Sequence, residues 1–501
     1  MSKLLRACMA PSVATLAATA VSLFSSPVHA SGFSVARFGG AHGNPVDQHP
    51  ASIYYNPAGL YGGAGTRVYL DLTYAYRTAT YERDVAGTHP DNDTEAELAA
   101  NAGKGTLANA VTAPMIGVSS DLGLAAPFAL GAGFFVPFGG AAAWDQQDDL
   151  EDSAFPGAVD GPQRWFTIDG TLRTLGVAAG GAYHLAPARL SLGLTYNLYL
   201  SEIDSIRARN SDNTDIVANE GRSWIDVSGV DHGLGVGLLW EASPGALWLG
   251  ASYQSKPNLD GKMVLEGTLK NHFYPNTDEN DLVMTTKLPD VFRAGVRYRP
   301  TKASELRLFG DYTRWSTLDQ QCLIADDVLG GEDPFEFCRT KDDGSTVNGN
   351  DSAVILNLER NWDDAWGARL AGSYWLAGGT ELFVDLGYDA NAIPDGVLDP
   401  SLIDMDKYSV GLGAVMPVSK WLDLSLSANN IFYADRTTSV SDFTPLKDPS
   451  KGPNPAGTFT QNVFFVNVGL LFHFGDAACE GCDGPSASAA PATQPVQVSS
   501  R

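Results

Sequence analysis

Apolar side chains occupy every second position over long stretches of this chain, and this pattern limits the folds that it can adopt. In the run VFFVNVGLLFHF at residues 463–474, every even position is apolar, whereas the odd ones include Asn467, Gly469 and His473. A period of two places alternate side chains on opposite faces of a β-strand. Similar runs occur near residues 68–77, 189–200, 292–298 and 422–427. The sequence therefore predicts an all-β protein whose strands have one apolar face.

The length of these runs favours a membrane-embedded sheet. Strands of soluble sandwiches are mostly about five or six residues long, whereas several runs here exceed about ten residues. About ten tilted residues cross an outer membrane, with the apolar face toward lipid and the polar face toward the lumen. Backbone groups in lipid have no water to bond, so such strands must close into a barrel. The expected fold is a transmembrane antiparallel β-barrel.

The N-terminal end of the chain supports export from the cytoplasm. Lys3 and Arg6 precede an apolar stretch at residues 13–24, and small residues lead to a cleavage site after Ala30. This arrangement predicts a signal peptide at residues 1–30. The net charge is −25, and loss of the signal peptide makes it more negative, which argues against a nucleic-acid partner.

The connections between the apolar runs are asymmetric. Short ones fall near residues 186–188, 242–244, 300–302, 377–379 and 418–419. Long acidic ones fall near residues 84–112, 138–170, 206–222, 269–283, 319–350, 391–404 and 438–457. Short periplasmic turns and long external loops are typical of outer-membrane barrels, and they divide residues 65–474 into about fourteen strands. Residues 463–474 form the closing strand, and the Ala-, Pro- and Ser-rich residues 475–501 are predicted to be a disordered periplasmic tail.

The segment before the first strand, residues 31–64, does not resemble a strand. It is rich in Gly and Pro, yet it carries many large apolar side chains, which disordered leaders rarely hold. An ordered plug inside the barrel would account for them, with Phe33, Val35 and Phe38 as candidates for a ligand pocket. An irregular periplasmic extension is the alternative interpretation.

A resemblance to a known family rests on short motifs in a fixed order. Asn56-Pro57-Ala58-Gly59-Leu60, directly before the first strand, resembles the hatch motif of the long-chain fatty-acid (FadL-type) outer-membrane transporters. Further similar fragments are LPD at 288–290, DYTRWS at 311–316, NWDDAW at 361–366, RLAG at 369–372, GYD at 387–389, IPD at 393–395 and DMDK at 404–407.

The resemblance implies a fourteen-stranded barrel closed by an N-terminal hatch. Family members pass long-chain fatty acids or aromatic hydrocarbons. External loops capture the solute, a pocket above the hatch holds it, and a kinked third strand opens the wall for sideways release. Here that strand would lie at residues 130–137, and the candidate kink residues are Pro127, Gly131, Gly133 and Pro137. Ordinary strand ends explain these four residues equally well.

The remaining motifs are few. Cys322 and Cys338 lie in one predicted external loop, where a disulfide is expected. Cys479 and Cys482 form a CxxC in the tail, for which a local disulfide is favoured over zinc. Lumen-facing arginines either meet a carboxylate headgroup or pair with nearby acids, and pairing is favoured; they are Arg293, Arg297, Arg307 and Arg369. We expect no catalytic, metal or cofactor site.

The sequence thus predicts a monomeric channel in the outer membrane, in contact with its lipid and lipopolysaccharide. Its expected cargo is long-chain fatty acids or other hydrophobic small molecules. A non-specific porin for hydrophilic solutes and, more remotely, an outer-membrane lipase are the alternatives. The absence of a GxSxG motif weighs against a lipase.

Overall fold

A computed structural model describes residues 38–124, 126–151, 153–273, 275–339, 341, 345–347, 354–445 and 452–475. The predicted signal peptide, Phe33, Val35, the CxxC motif and nearly all of the predicted tail lie outside these residues.

The described residues form a single sheet of nineteen strands. They are β1 (Thr66–Arg83), β2 (Gly103–Ser120), β3 (Phe128–Ala143), β4 (Asp169–Leu185), β5 (Leu190–Arg209), β6 (Gly221–Ser243), β7 (Leu247–Gln254), β8 (Lys262–Phe273), β9 (Asn276–Lys287), β10 (Val291–Thr301), β11 (Ser304–Thr313), β12 (Gln320–Ala325), β13 (Val354–Glu359), β14 (Ala365–Trp375), β15 (Glu381–Asp389), β16 (Lys407–Ser419), β17 (Leu422–Tyr433), β18 (Arg436–Thr438) and β19 (Gly457–Phe474). Short helical turns lie between them, and among the described residues no helix is long and apolar enough to cross a membrane.

Fourteen of these strands close into an antiparallel barrel. Neighbouring strands pair from β1 to β7, then β7 pairs with β10, β11 with β14, and β17 with β19. The last strand pairs with the first from Thr66↔Phe474 to Arg83↔Gly457, so the barrel has no free edge. The predicted fold class, strand number and closing strand are confirmed.

The two faces of the barrel wall differ as the alternation predicts. On β19, Phe464 and Val468 are each 41 % exposed on the outside, whereas Asn467 is buried on the inside. On β1, Leu72, Tyr74 and Tyr76 are exposed, whereas Asp71 and Arg77, which have the opposite parity, are buried. A closed barrel with an outward band of Leu, Val, Phe and Tyr is an outer-membrane structure.

The five remaining strands lie in the long connections. Strand β7 pairs only with residues 235–243 of β6, so the outer part of β6 has a free edge. Strand β8 fills that edge at residues 222–228, and β9, β12 and β13 extend the sheet further. Residues 269–283, predicted as a loop, are therefore largely a hairpin. Their alternation is weak, because residues 276–281 at the start of β9 are all polar and exposed.

A disulfide between Cys322 and Cys338 joins β12 to the turn after the short helix Pro334–Phe337. It packs with Val283, Ile324 and Phe337 in a small apolar cluster of the outer sheet.

Replacing both cysteines by serine is expected to loosen this outer loop but not the barrel. A cross-link that closes a loop of about 15 residues is worth roughly 3 kcal/mol in the chain-entropy model. Limited proteolysis should therefore cut residues 326–341 faster in the double variant, while the heat-modifiable migration of the barrel stays the same. Unchanged cleavage would show that apolar packing alone holds the loop.

Candidate functional site

Residues 38–65, which we call the N-terminal segment, lie against the inner face of the barrel. A helix at Ser52–Tyr55 and a turn at Pro57–Leu60 are fully buried. Asn56 organises the turn: its Oδ1 accepts from the Ala58 amide at 3.2 Å, and its Nδ2 donates to Pro45 O at 2.6 Å. The same Nδ2 donates to Leu238 O on β6 at 2.9 Å. The five residues Asn56 to Leu60 therefore dock the segment onto the wall.

Glycines on the inner wall make room for this segment. A Cβ at Gly193 of β5 would lie 2.2 Å from the backbone of Pro57 and Ala58. At Gly237 of β6 it would lie 1.9 Å from Asn56 Oδ1. Since real Cβ atoms do not approach so closely, any side chain at these positions must push the segment away from the wall.

Ion pairs fix the N-terminal segment to strands β10 and β11. Asp47 lies 2.9 Å from Arg297 Nη1 and 3.4 Å from Arg307 Nη1. Arg307 also lies 2.9 Å from both Glu305 and Glu381. All of these side chains are buried, so removing one partner would leave an uncompensated charge.

A cavity of about 170 Å³ lies on the N-terminal segment inside the barrel. Most of its large side chains are aromatic; they include Phe38, Tyr55, Trp315, Trp362, Phe383 and Phe465. The ring centroids of Trp315 and Trp362 are 5.1 Å apart. Phe38, a predicted pocket residue, thus lines the cavity, whereas Phe33 and Val35 lie outside the described residues.

The lumen arginines are mostly paired, as favoured from the sequence. Arg369 lies 3.2 Å from Asp311 and 2.6 Å from Asp389. Arg293 differs: its guanidinium stacks 4.5 Å from the Tyr54 ring centroid, and it forms no ion pair with any described residue. In the described part of the chain, no group of three or more His, Cys, Asp or Glu side chains is placed to hold a metal ion.

The barrel wall is interrupted between β2 and β3. These strands pair only from Ser120↔Leu130 to Ile116↔Phe134, although both continue outward. Strand β3 also shifts register against β4 between Phe135 and Phe138, where Val136 and Pro137 lie opposite a single residue. Proline has no N–H to donate to a ladder, so it is suited to this irregularity. We call the unpaired stretch the wall gap.

The four candidate kink residues occupy different places. Pro137 lies at the irregularity, and Pro127 lies in the turn before β3. Gly131 and Gly133 lie in the regularly paired part, where a Cβ would meet Leu60 and Ile53 of the N-terminal segment at 2.8 and 2.6 Å. These two glycines therefore accommodate the segment.

Side chains bridge and fill the wall gap. Arg77 of β1 donates from Nη1 to Ala141 O of β3 at 2.8 Å, and its Nε and Nη2 donate to Gln461 Oε1 at 2.9 and 2.6 Å. Phe135 is fully buried, with its ring centroid 4.9 Å from that of Tyr54 and 6.0 Å from that of Phe38. Phe38 thus contacts the gap and also lines the aromatic cavity.

Comparison with known proteins identifies the family. The model of the family described as "Outer membrane protein transport protein (OMPP1/FadL/TodX)" matches residues 12–447. This chain belongs to that family. The OMPP1/FadL/TodX proteins are outer-membrane transport proteins, and the chain is accordingly an outer-membrane channel for hydrophobic compounds.

Solved structures share its fold. A FadL homologue from Pseudomonas aeruginosa has a TM-score of 0.69 at 16 % identity, and the match covers 90 % of this chain and 100 % of that one. The toluene transporter TodX from P. putida has a TM-score of 0.61 at 14 % identity, covering 89 % and 99 %. The monoaromatic hydrocarbon channel CymD has a TM-score of 0.54 at 12 % identity, covering 88 % and 100 %. No curated protein sequence matches this chain.

Sequence reasoning missed several residues of this OMPP1/FadL/TodX barrel. Trp315 and Trp362 belong to the DYTRWS and NWDDAW fragments, but they lie in connections, where no periodicity marks them as cavity walls. Arg77 alternates with apolar residues like any lumen residue, so nothing distinguishes its role at the gap. A usable signal exists for the wall glycines: Gly193, Gly235 and Gly237 all fall on the lumen-facing parity of their strands.

Proposed function

We propose that this protein is a passive channel for long-chain fatty acids or other hydrophobic compounds, with sideways release into the membrane. The observation that carries the proposal is the aromatic cavity on the N-terminal segment, together with its contact through Phe38 to the wall gap. The channels named in the comparisons carry toluene and monoaromatic hydrocarbons, which supports a hydrophobic cargo here.

The outer loops would capture the solute. Lipopolysaccharide is a poor solvent for an alkyl chain, and burial of apolar surface is worth about 25 cal/mol per Å². The cavity walls built by Trp315, Trp362 and Ile393 supply such a surface directly below the loops. A solute can therefore concentrate there without an energy source.

The wall gap would release the solute. A molecule in the aromatic cavity is separated from the gap by Phe38 and Phe135, and beyond them no β2–β3 ladder closes the wall. The burial of the N-terminal segment below the cavity supports a blocked direct route to the periplasm. We therefore propose that this segment acts as a hatch and that its small movements accompany passage.

A porin for hydrophilic solutes is the second candidate, and the buried segment argues against it. A lipase would need a nucleophile activated by a neighbouring base, and the aromatic cavity holds paired acids and bases instead.

Uptake by intact cells tests the proposal. Cells that produce the protein should take up labelled oleate or toluene several-fold faster than cells that lack it, because only an apolar path crosses lipopolysaccharide. Planar bilayers should show little ion conductance through the purified protein. Strong conductance with unchanged oleate and toluene uptake would favour the porin and contradict the proposal.

A further inference from the structure

The floor of the aromatic cavity is a short loop at the start of the N-terminal segment. We call residues 38–43, with the sequence FGGAHG, the floor loop. Phe38, Gly40 and Gly43 line the cavity. Gly39 and Gly40 have φ angles of 88° and 51°, a region that glycine enters without steric cost. The loop therefore depends on contacts with its surroundings to hold its shape.

The first residues of the floor loop are anchored by two hydrogen bonds. The Tyr55 hydroxyl donates to Phe38 O at 2.8 Å, and the Gly39 amide donates to the Asp71 carboxylate on β1. Beyond them, His42 is the only titratable side chain of the loop. Any ion pair between the floor loop and the barrel must therefore pass through this imidazole.

His42 bridges the body of the N-terminal segment and the barrel wall. Its Nδ1 lies 2.9 Å from Asp47 Oδ2, and its Nε2 lies 3.6 Å from Glu381 Oε2 at the periplasmic end of β15. A carboxylate faces each ring nitrogen, which suits an imidazolium with a proton on both. Burial opposes this charge, but the Asp47 and Glu381 carboxylates outweigh it and raise the pKa of His42 to about 10. His42 is therefore a cation at neutral pH.

Both carboxylates are also fixed by groups other than His42. Asp47 is paired with Arg297 and Arg307, and Glu381 Oε1 lies 2.9 Å from Arg307 Nη2. These bonds leave Glu381 Oε2 facing the imidazole. Without His42 the two carboxylates would stay in place, whereas the floor loop would lose its ion pair to the wall.

The floor loop meets β17 along a seam of small side chains. A Cβ added at Gly40 would lie 3.3 Å from Ser427 Oγ and 3.8 Å from Ser425 Oγ. Ser427 lines the aromatic cavity, and Ser425 is the next residue of the same parity toward the periplasmic end of β17. Movement of the loop away from β17 would therefore open the cavity toward the periplasm.

We infer that His42 acts as a latch that holds the floor loop against β15 and so commits the channel to sideways release. While the latch holds, the path between the loop and β17 stays shut, and a solute in the aromatic cavity leaves by the wall gap. Without it the loop moves about its anchored start, where two consecutive glycines can absorb the change in φ and ψ. This inference rests on the proposed function, since it assigns the closing role of the hatch to one side chain.

Conductance of the purified full-length protein in planar bilayers tests the latch. His42→Ala should raise the fraction of time spent in conducting states by about tenfold or more, because bonds between charged groups favour the closed state by at least that factor. His89→Ala is the matched control: His89 lies 3.8 Å from Asp91 in an outer loop, and its removal should leave the conductance unchanged. Heat-modifiable migration checks that each barrel is folded.

A reversible cross-link separates a latch from a merely structural role of His42. Gly40→Cys combined with Ser427→Cys brings two thiols close enough for a disulfide, given the 3.3 Å between the added Cβ and Ser427 Oγ. In a His42→Ala background, the oxidised protein should be as non-conducting as the unaltered one, and reduction should restore the openings. A damaged barrel would conduct in both states. The unaltered protein with and without reductant controls for loss of the Cys322–Cys338 disulfide.

The outcomes separate the latch from the hatch. A non-conducting His42→Ala barrel, or openings that persist in the cross-linked form, would overturn the latch. Equal openings in His89→Ala would overturn it as well. If His42→Ala stays closed while displacement of the whole segment by Gly193→Val opens the lumen, the hatch stands and the latch alone fails. Two closed variants would contradict the hatch itself.

Discussion

Deletion of Pro137 is expected to lower the uptake of oleate and toluene by about tenfold or more while the barrel still folds. Phe135 pairs with Gly176 and Phe138 with Thr174, so β3 has one residue more than β4 between these positions. Removing Pro137 equalises the two strands and keeps the following side chains on the same faces. It also removes the one residue there that cannot donate to a ladder.

The size of the effect follows from the bonds that could form. A straightened β3 can pair with β2 beyond Ile116↔Phe134, where the ladder now ends. Each added backbone hydrogen bond is worth about 1 kcal/mol, so two of them suffice for a factor of more than ten in the opening of the wall. Uptake of both labelled solutes by intact cells measures this loss.

Pro137→Ala is the matched control, because it restores the N–H and keeps the extra residue. The register shift therefore remains, and uptake should fall much less than in the deletion variant. Heat-modifiable migration checks that each barrel is folded. Normal uptake through a folded deletion variant would rule out release at the wall gap.

Gly193→Val should turn the barrel into an ion-conducting pore. A Cβ at this position overlaps the Pro57–Ala58 backbone, and overpacking of this kind costs about 1–3 kcal/mol even after relaxation. The two further methyl groups of valine enlarge the overlap. Strand β5 is held by seventeen paired positions with β4, so the N-terminal segment, and not the strand, is expected to move.

Conductance in planar bilayers and the entry of a large hydrophilic antibiotic into cells measure the effect. Both should rise sharply above the levels of the unaltered protein. Gly372→Val serves as the control: Gly372 lies in a barrel strand, and the nearest atom to its added Cβ would be 3.6 Å away, an ordinary contact. A Gly193→Val barrel as silent as the control would show that the segment does not close the lumen.

The barrel was predictable because lipid imposes a simple rule on each strand. Long runs such as residues 189–200 and 463–474 keep one apolar face, and no helix or soluble sandwich explains that pattern at such length. The same rule fails beyond the membrane. Strands β8, β9, β12 and β13 pair with each other and with the outer part of β6, and in β9 six exposed polar residues are followed by a run of buried ones instead of an alternation.

The candidate site was predictable only in part. The Asn56–Leu60 motif marked the docking turn, and the large apolar residues of the N-terminal segment indicated a buried position. Pairing that stops at Phe134, or an arginine that lacks an acid, depends on contacts between distant strands. Local sequence does not encode such contacts, and Arg293 and Arg369 look alike until their neighbours are known.

The small number of hydrogen bonds across the wall gap determines how easily β2 and β3 could separate there. Separating two fully paired strands means breaking many backbone bonds in concert, which is a slow event akin to partial unfolding. Across the wall gap, Arg77 and the Asn109 side chain donate to Ala141 O, and at its outer end the Asp145 amide donates to Thr106 O. Parting the wall here therefore takes the rotation of two side chains and the loss of a few bonds near Asp145, so a lipid-like molecule would meet a smaller barrier here than between fully paired strands.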